Sequence, residues 1–329
     1  MLATAPSDVT VEPTPPPPQP DIHPFSFHGT GTALFALVMK NMMLTLLTLG
    51  IYMPWAKTER RMFLWQNVEI AGHRLRYHGT GKELFKGYLK VFLAYALFFG
   101  TSIASDRMFG KAVGNWVRVG LLLVVLPLIP YAIWGSSRYL LSRTSWRGVH
   151  FRLEGGAGTY AKTFFSGLFL TIVTLGLYGS VMMNRLYRVQ TNHTGLGTKL
   201  FEYRGKDLDV FKLAMKGFVL SILTLGIYSF WYNAALSRYR LENTWFDGAR
   251  GELKITGVDL FGLYILQMVG LTMSLGLAFP WITTYTLRFV LERMRFVGPI
   301  DFDHIYRAEA QGDAAADGLA DALDVGTAL

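Results

Sequence analysis

The sequence predicts a mainly α-helical protein, a polytopic membrane helix bundle of five tandem strand–helix–helix repeats with a small cytoplasmic β element. Three observations lead to this prediction: a composition poor in charge, six long apolar stretches, and a motif that recurs along the chain. Of the 329 residues, 51% are hydrophobic and 17% are charged, whereas soluble domains usually carry about 25% charged residues. The chain therefore has too little charge for a surface that lies entirely in water.

Six apolar stretches are each long enough to cross a lipid bilayer as a helix. Such a helix needs about 20 apolar residues to cross a hydrocarbon core of roughly 30 Å. Aromatic residues at the ends of the stretches favour membrane helices over the buried helices of a large soluble protein. The stretches are residues 32–49, 83–104, 117–135, 159–178, 208–228 and 259–279.

A short motif at the end of most stretches, here called the box, reveals the repeat. Thr48-Leu-Gly-Ile-Tyr52 recurs closely at 174–178 and 224–228, and more loosely at 274–278. Glycine can adopt the left-handed conformation at a helix end, and threonine can bond to a carbonyl one turn back. We therefore predict a structural turn at each box. The residues of the three close copies are Thr48, Gly50 and Tyr52; Thr174, Gly176 and Tyr178; and Thr224, Gly226 and Tyr228.

An arginine follows each box, and we predict that these arginines contact an anion or lipid headgroups. Guanidinium groups bind phosphate through two N–H groups at once. Two arrangements stay open. The arginines could converge as a positive ring that binds a phosphate-bearing solute, or they could lie at the cytoplasmic interface against anionic lipid. The five residues are Arg61, Arg138, Arg185, Arg238 and Arg288.

Each repeat begins with a short alternation of polar and apolar residues, such as Phe201-Glu-Tyr-Arg-Gly205, which predicts a half-exposed strand. We place the membrane domain at 25–300. A proline-rich segment before it (1–24) and an Ala-, Gly- and Asp-rich segment after it (308–329) are predicted to be disordered tails. The five repeats are 25–72, 73–148, 149–195, 196–248 and 249–298.

Charge and composition exclude several classes of function. The net charge is +9, but Arg and Lys mostly flank the apolar stretches, which is typical of membrane proteins, and we predict no nucleic-acid partner. The chain has no cysteine, which excludes disulfides and thiolate metal ligands. No serine, histidine and acid arrangement suggests hydrolysis. We therefore predict a non-enzymatic protein without catalytic residues, metal or cofactor.

The box with its flanks, Thr48-Leu-Gly-Ile-Tyr-Met-Pro-Trp-Ala56 followed by Arg60-Arg61, resembles the YjgN-like family of bacterial inner-membrane proteins, a domain of unknown function. The resemblance covers about residues 25–300. It implies a location in the bacterial inner membrane and supplies no catalytic residues.

The topology depends on whether each repeat crosses the membrane once or twice. If every repeat forms a helical hairpin that turns at the box, all strands and both termini share the cytoplasmic side, and the basic segments obey the positive-inside rule. The segment near 104–116 then lies in the periplasm. The repeated arginines fall close to mid-depth in this arrangement, which is costly unless they are paired or hydrated. Second helices that are re-entrant or tilted along the interface therefore remain an alternative.

Two functional hypotheses follow from the repeats. The first is a multi-pass inner-membrane protein with a transport-like or channel-like role, since substrate sites of repeat-built transporters lie between repeats. The alternative is a membrane scaffold or regulatory partner that docks another protein through its cytoplasmic strands. The expected partners are membrane lipids and an anionic solute or a protein. A polar cavity along the central axis favours transport, and a dry axis of Leu, Phe and Met favours the scaffold.

Overall fold

The computed structural model describes residues 21–302 and residue 305. The predicted tails lie mainly outside these residues, although the first strand already begins at Ile22. In the described chain a strand, two helices and a second strand occur in this order five times, and each such segment is called a unit below. The units are β1 (Ile22–Phe27), α1 (Gly31–Leu47), α2 (Met53–Gln66), β2 (Val68–Ile70); β3 (His73–Tyr77), α3 (Gly81–Val125), α4 (Leu128–Ser142), β4 (Thr144–Trp146); β5 (Val149–Leu153), α5 (Ala157–Val173), α6 (Gly179–His193), β6 (Thr194–Leu196); β7 (Lys199–Tyr203), α7 (Asp207–Leu223), α8 (Ser229–Glu242), β8 (Thr244–Phe246); and β9 (Ala249–Leu253), α9 (Gly257–Met273), α10 (Phe279–Leu291), β10 (Met294–Val297).

The ten strands of the described residues form one closed antiparallel barrel. Each unit ends where the next begins, in a tight hairpin such as Ala71-Gly72 or Asp247-Gly248, whose two central residues have positive φ. Such turns match the twist of the flanking strands. Pairing of β1 with β10, which places His23 opposite Phe296, closes the barrel.

The prediction of a polytopic membrane helix bundle with a small β element is therefore wrong. The barrel is the centre of the fold, and among the described helices only Gly81–Val125 is both long and apolar enough to cross a membrane. Sequence reasoning found one strand per repeat and missed its partner. Four of the missed strands have three residues, which is too short for an alternation of polar and apolar side chains to be recognised.

The ten described helices form a closed ring above the barrel. Each first helix of a unit packs against the second helix of its own unit and that of the preceding unit, and α1 packs against α10. Glycines at the starts of three first helices make room for a tryptophan of the preceding unit, because a Cβ at Gly81 would collide with Trp55 and one at Gly257 with Trp231. Trp281 of the last unit makes the same kind of contact with Gly31 of the first unit.

Hydrogen bonds fix which residues of the five units correspond. The first helices begin at residues 31, 81, 157, 207 and 257, so the units repeat every 50 residues except after unit two, where the spacing is 76. The amide after each long strand donates to the carbonyl at the end of the second helix of its own unit or just beyond it, as for His78 to Arg143 and Lys254 to Arg293. One position of the second helices is buried in every unit: Thr58, Trp134, Asn184, Ala234 and Thr284.

Unit two is longer because its hairpin turns at a different place. The chain reverses within α3 at Gly110, which has a positive φ of 80°, and this reversal brings Arg118 into an ion pair with Asp106. The arm from Gly81 to Phe109 is about 43 Å long at 1.5 Å per residue. The first helices of the other units have 17 residues, or about 25 Å. The tip of unit two therefore lies beyond the other four tips.

Candidate functional site

The box forms the turn of four hairpins with one repeated geometry. In unit one the Thr48 hydroxyl donates to the Leu44 carbonyl (2.7 Å) and accepts the Tyr52 amide (3.0 Å). Threonines 174 and 224 and Ser274 make the equivalent pair of bonds. Each box glycine has a φ between 89° and 95° and a left-handed leucine before it. Two left-handed residues in succession reverse the chain within the box.

The leucines of these four boxes are almost fully exposed. Their exposed fractions are 94% for Leu49, 94% for Leu175, 95% for Leu225 and 93% for Leu275, and apolar side chains around them are also exposed. Soluble monomers rarely expose contiguous apolar surface of this kind. The tips therefore suit contact with lipid.

Three of the five predicted arginines join their hairpin to the next unit. Arg61 donates to the Tyr77 hydroxyl (3.2 Å), and Arg185 pairs with Asp207 (2.7 Å). Arg288 donates to the carbonyl of Gly29 (3.1 Å). Arg138 and Arg238 are exposed, and the structure gives them no such bond among the described residues. The predicted role in binding an anion or headgroups stays a prediction.

The register of the units places Arg188, and not Arg185, level with Arg138, Arg238 and Arg288. Arg188 donates to the Gly205 carbonyl (2.6 Å), which is the contact that Arg288 makes to Gly29. In unit one Met62 stands at this level. Arg185 and Arg188 are three residues apart and lie near one face of α6. The sequence alone therefore does not show which of them corresponds to the arginines of the other units.

A chamber of about 500 Å³ lies where the barrel meets the helix ring. Its walls combine strand residues with residues from the barrel ends of α4, α6 and α8. The apolar part of the lining is Phe25, Ile70, Leu140, Leu141, Trp146, Phe151, Leu196, Phe201, Leu241, Phe246, Met294, Phe296, Ile300 and Phe302. The sequence analysis did not predict this site, because its residues come from every unit and meet only when the barrel closes.

Most polar side chains of the chamber form hydrogen bonds with one another or with the backbone. Gln190 donates to the Ser137 hydroxyl (3.3 Å), and the hydroxyls of Tyr187 and Thr244 lie 3.3 Å apart. The Thr194 hydroxyl donates to the Gln190 carbonyl (2.8 Å). The chamber therefore offers a mainly apolar surface.

Aromatic side chains that line the chamber also pack against one another inside the barrel. Phe246 and Phe201 have ring centroids 4.5 Å apart, and Phe302, which follows β10, lies 4.7 Å from Trp146. Ile305 is 1% exposed within the same cluster. This part of the barrel interior is dry, the outcome that the sequence analysis associated with a scaffold.

The outer surface of the barrel carries charged and polar side chains. His78 accepts or donates a 2.7 Å hydrogen bond with the Ser145 hydroxyl, and its ring lies 5.3 Å from that of His150. Burial lowers the pKa of His78, and the charges of His150, Arg76 and Arg143 lower it further. On β9, a hydrogen bond from Arg295 holds the pKa of Glu252 below its usual range. This surface suits water.

No group of three His, Asp or Glu side chains in the described residues is arranged to hold a metal ion. A closed barrel that carries apolar helical hairpins on one end and charged strands on its outside defines a membrane-associated protein with two chemically distinct parts. The sequence comparisons agree with this class. The chain belongs to the YjgN-like family described as "Bacterial protein of unknown function (DUF898)", which it matches over residues 22–218, 198–261 and 231–322.

Curated relatives carry the name "Inner membrane protein YjgN". The chain is 31% identical to that of Escherichia coli O157:H7 and 32% identical to that of Escherichia coli K12, in each case over 151 residues, 46% of this chain and 36% of the relative. It is 33% identical to that of Salmonella typhimurium over 132 residues, 40% of this chain and 31% of the relative. The match thus spans about a third of each relative's length. These names support an inner-membrane location. No solved structure matches the chain.

Proposed function

We propose that this inner-membrane protein binds an apolar molecule of the lipid class in the chamber between the barrel and the helix ring. The observation that carries the proposal is a cavity of about 500 Å³ lined mainly by aromatic and aliphatic side chains. Sites for small molecules are typically of this size and character, with a few polar groups that fix orientation. Ser137, Gln190 and Thr191 are such groups here.

The aromatic interior of the barrel directs the transport-like hypothesis towards apolar cargo. A water-filled path for ions would need polar groups along the axis, whereas Phe201, Phe246 and Phe296 occupy it. A chamber with a mainly apolar lining suits a molecule that partitions into lipid. A transport-like role is therefore proposed for a lipid-like molecule and not for an ion.

We further propose that the hairpin tips enter the membrane from the cytoplasmic side and that the barrel stays in the cytoplasm. Exposed leucines at the tips supply the apolar surface, and arginines near the barrel ends of the second helices fit the positive-inside rule. The long hairpin of unit two is the one proposed to cross, placing Asp106 and Lys111 in the periplasm. Gly298 donates to the Asp21 carbonyl (2.9 Å), so both ends of the barrel chain share one side.

Photo-crosslinking tests the chamber. Membranes that contain the full chain are incubated with a diazirine analogue of palmitic acid, irradiated and digested, and the labelled peptides are mapped. We expect labelling of α6 and β8, and a decrease of about tenfold when Thr191→Trp fills the chamber. Thr159→Trp, on the exposed start of α5, is the matched control and should leave labelling unchanged. Equal labelling of both variants and the wild-type chain would refute the proposal.

A scaffold role is the second candidate, and the charged outer strands favour it. Ion pairs such as Arg204–Glu202 (2.6 Å) and Arg295–Glu252 (2.6 Å) cover this surface. A scaffold predicts that charge reversal at Arg204 impairs the cellular role while Thr191→Trp leaves it intact. The chamber proposal predicts the opposite pair of results.

A further inference from the structure

A second cavity, of about 400 Å³, lies between α2, α3 and α4, and its character differs from that of the chamber. Two cations from α2, Lys57 and Arg61, line it together with the hydroxyls of Ser136 and Tyr139. One carboxylate, Glu83, is also part of the lining. The cavity is thus a gap between helices with a positively charged side.

The two cations lack a carboxylate partner among the described residues. Lys57 has its nitrogen 5.9 Å from the centre of the Tyr88 ring, and Arg61 donates only to the Tyr77 hydroxyl. Glu83 does not neutralise them, because Arg143 pairs with it at 2.8 Å and Tyr139 donates to it at 3.0 Å. The cavity therefore carries two uncompensated positive charges.

Two side chains that are smaller than their equivalents in every other unit open the gap. Gly87 corresponds by register to Leu37, Thr163, Leu213 and Leu263. Ser136 corresponds to Arg60, to Leu186, which is buried, to Leu236 and to Thr286. Of these larger side chains, Leu186 and Leu263 are buried. The cavity is thus a specific feature of the contact between units one and two.

Lys57 and Arg61 also have no basic equivalents in the other four units. Lys57 corresponds to Ile133, Met183, Asn233 and Thr283, and Arg61 corresponds to Ser137, Tyr187, Ser237 and Leu287. Residues four apart share a helix face, so α2 presents both charges to the gap. The only unit whose second helix carries this pair is the unit next to the opened space.

We propose that this cavity binds a phosphate group. Arginine and lysine form short charge-assisted bonds with phosphate oxygens, and the Ser136 hydroxyl, for which the structure gives no other bond, can add a donor. The phosphate belongs either to a lipid headgroup, with its chains along the exposed apolar face of α3, or to a water-soluble phosphate compound. The site is independent of the chamber and of the ligand proposed for it.

Native mass spectrometry of the full chain in detergent tests the proposal. The probe is dioleoylphosphatidylglycerol, and the soluble competitors are inorganic phosphate and glycerol 1-phosphate. Lys57→Gln with Arg61→Gln should weaken lipid binding about tenfold or more. Ser136→Leu and Gly87→Leu, which introduce the side chain found in two and in three other units, should have the same effect while all charges remain.

Lys212→Gln with Lys216→Gln is the matched control, because these exposed lysines of α7 have the same spacing on a helix. Binding that this control leaves unchanged supports a specific site, and displacement by inorganic phosphate or glycerol 1-phosphate identifies a soluble ligand instead of a lipid. Equal weakening in both double variants, or none in either leucine variant despite unchanged melting temperatures, would overturn the proposal. So would the absence of binding by all three probes.

Discussion

The indole of Trp281, in the last unit, lies against the backbone of Gly31, at the start of the first helix, and a Cβ at Gly31 would collide with it. The Trp281 ring also packs on Phe35, with centroids 4.8 Å apart. This contact joins the last unit to the first in the helix ring, as the pairing of β1 with β10 joins them in the barrel.

Gly31→Ala should therefore destabilise the protein although alanine favours helices. Forcing an extra carbon into a packed contact costs about 1–3 kcal/mol, more than the ~1 kcal/mol that alanine gains over glycine inside a helix. Thermal unfolding of the purified chain measures the effect. Gly262→Ala in α9 is the control, since its Cβ would meet open space, and it should be neutral or stabilising. Similar shifts in both variants would show that Trp281 moves aside freely.

The box glycines should not tolerate a β-branched residue. Gly50, Gly176 and Gly226 have φ near +90° with open space around them, so conformation and not crowding makes glycine necessary. Gly→Val at each position should cost about 1–3 kcal/mol and lower the amount of folded protein in the membrane. Gly262→Val, within a regular helix, is the comparison. Normal yield and melting of all three box variants would contradict a structural turn.

The exposed tip leucines should contribute to membrane binding. Changing Leu175, Leu225 and Leu275 together to Asp puts three charges where the proposal places hydrocarbon, at a cost of about 2.5 kcal/mol or more for each one near the bilayer centre. We expect a larger fraction of the chain to be released by alkaline carbonate. Leu208→Asp, exposed near the barrel end of α7, should have no effect. Full retention of the triple variant would exclude tip insertion.

Stability should fall in mild acid because of His78. Its pKa in the folded protein is lowered, chiefly by burial, so the unfolded chain binds the proton more readily. The contribution of neutral His78 is complete above the unfolded histidine pKa of about 6.5 and decreases as pH falls below it. His78→Gln should flatten the dependence of the melting temperature between about pH 7.5 and 5.5. His73→Gln, at an exposed strand position, should retain the wild-type slope. Parallel curves for all three proteins would exclude His78 as the cause.

Glu252 should affect the stability of the protein at lower pH than His78 does, and its charged form is the stabilising one. Its carboxylate accepts from Arg295 at 2.6 Å, which lowers its pKa in the folded protein. The stabilisation is present above the unfolded glutamate pKa of about 4.3 and is lost as pH falls below it. Glu252→Gln should therefore be less stable than wild type at pH 7 and lose less between about pH 5 and 3. A constant difference over this range would argue against the ion pair.

The sequence predicts local features of this fold better than its closure. The recurring box marks four turns because Thr and Gly act within a few residues of chain. The chamber and the barrel depend on contacts between residues far apart in the chain, such as Phe25 and Phe296. A local sequence pattern does not predict such contacts. Arg61 and Arg185 do not share the level of Arg138, Arg238 and Arg288, where Met62 and Arg188 stand instead. The register depends on contacts between units, such as the hydrogen bond from Arg188 to Gly205. The predicted repeat boundaries remain untested, and the predicted bundle was wrong.

The hydrogen bond from Gly298 to the Asp21 carbonyl has a consequence for chain connectivity. β1 and β10 pair as neighbours, and every unit meets the next in a tight hairpin. The strand pairing is therefore continuous around the barrel. A circular permutant that joins residue 298 to residue 21 and begins at the Gly197 turn would keep every strand pairing, but it would remove Phe302 and Ile305 from the barrel core. The strand pairings are therefore compatible with any of five starting points, and the packing of Phe302 and Ile305 inside the barrel is what distinguishes the existing one.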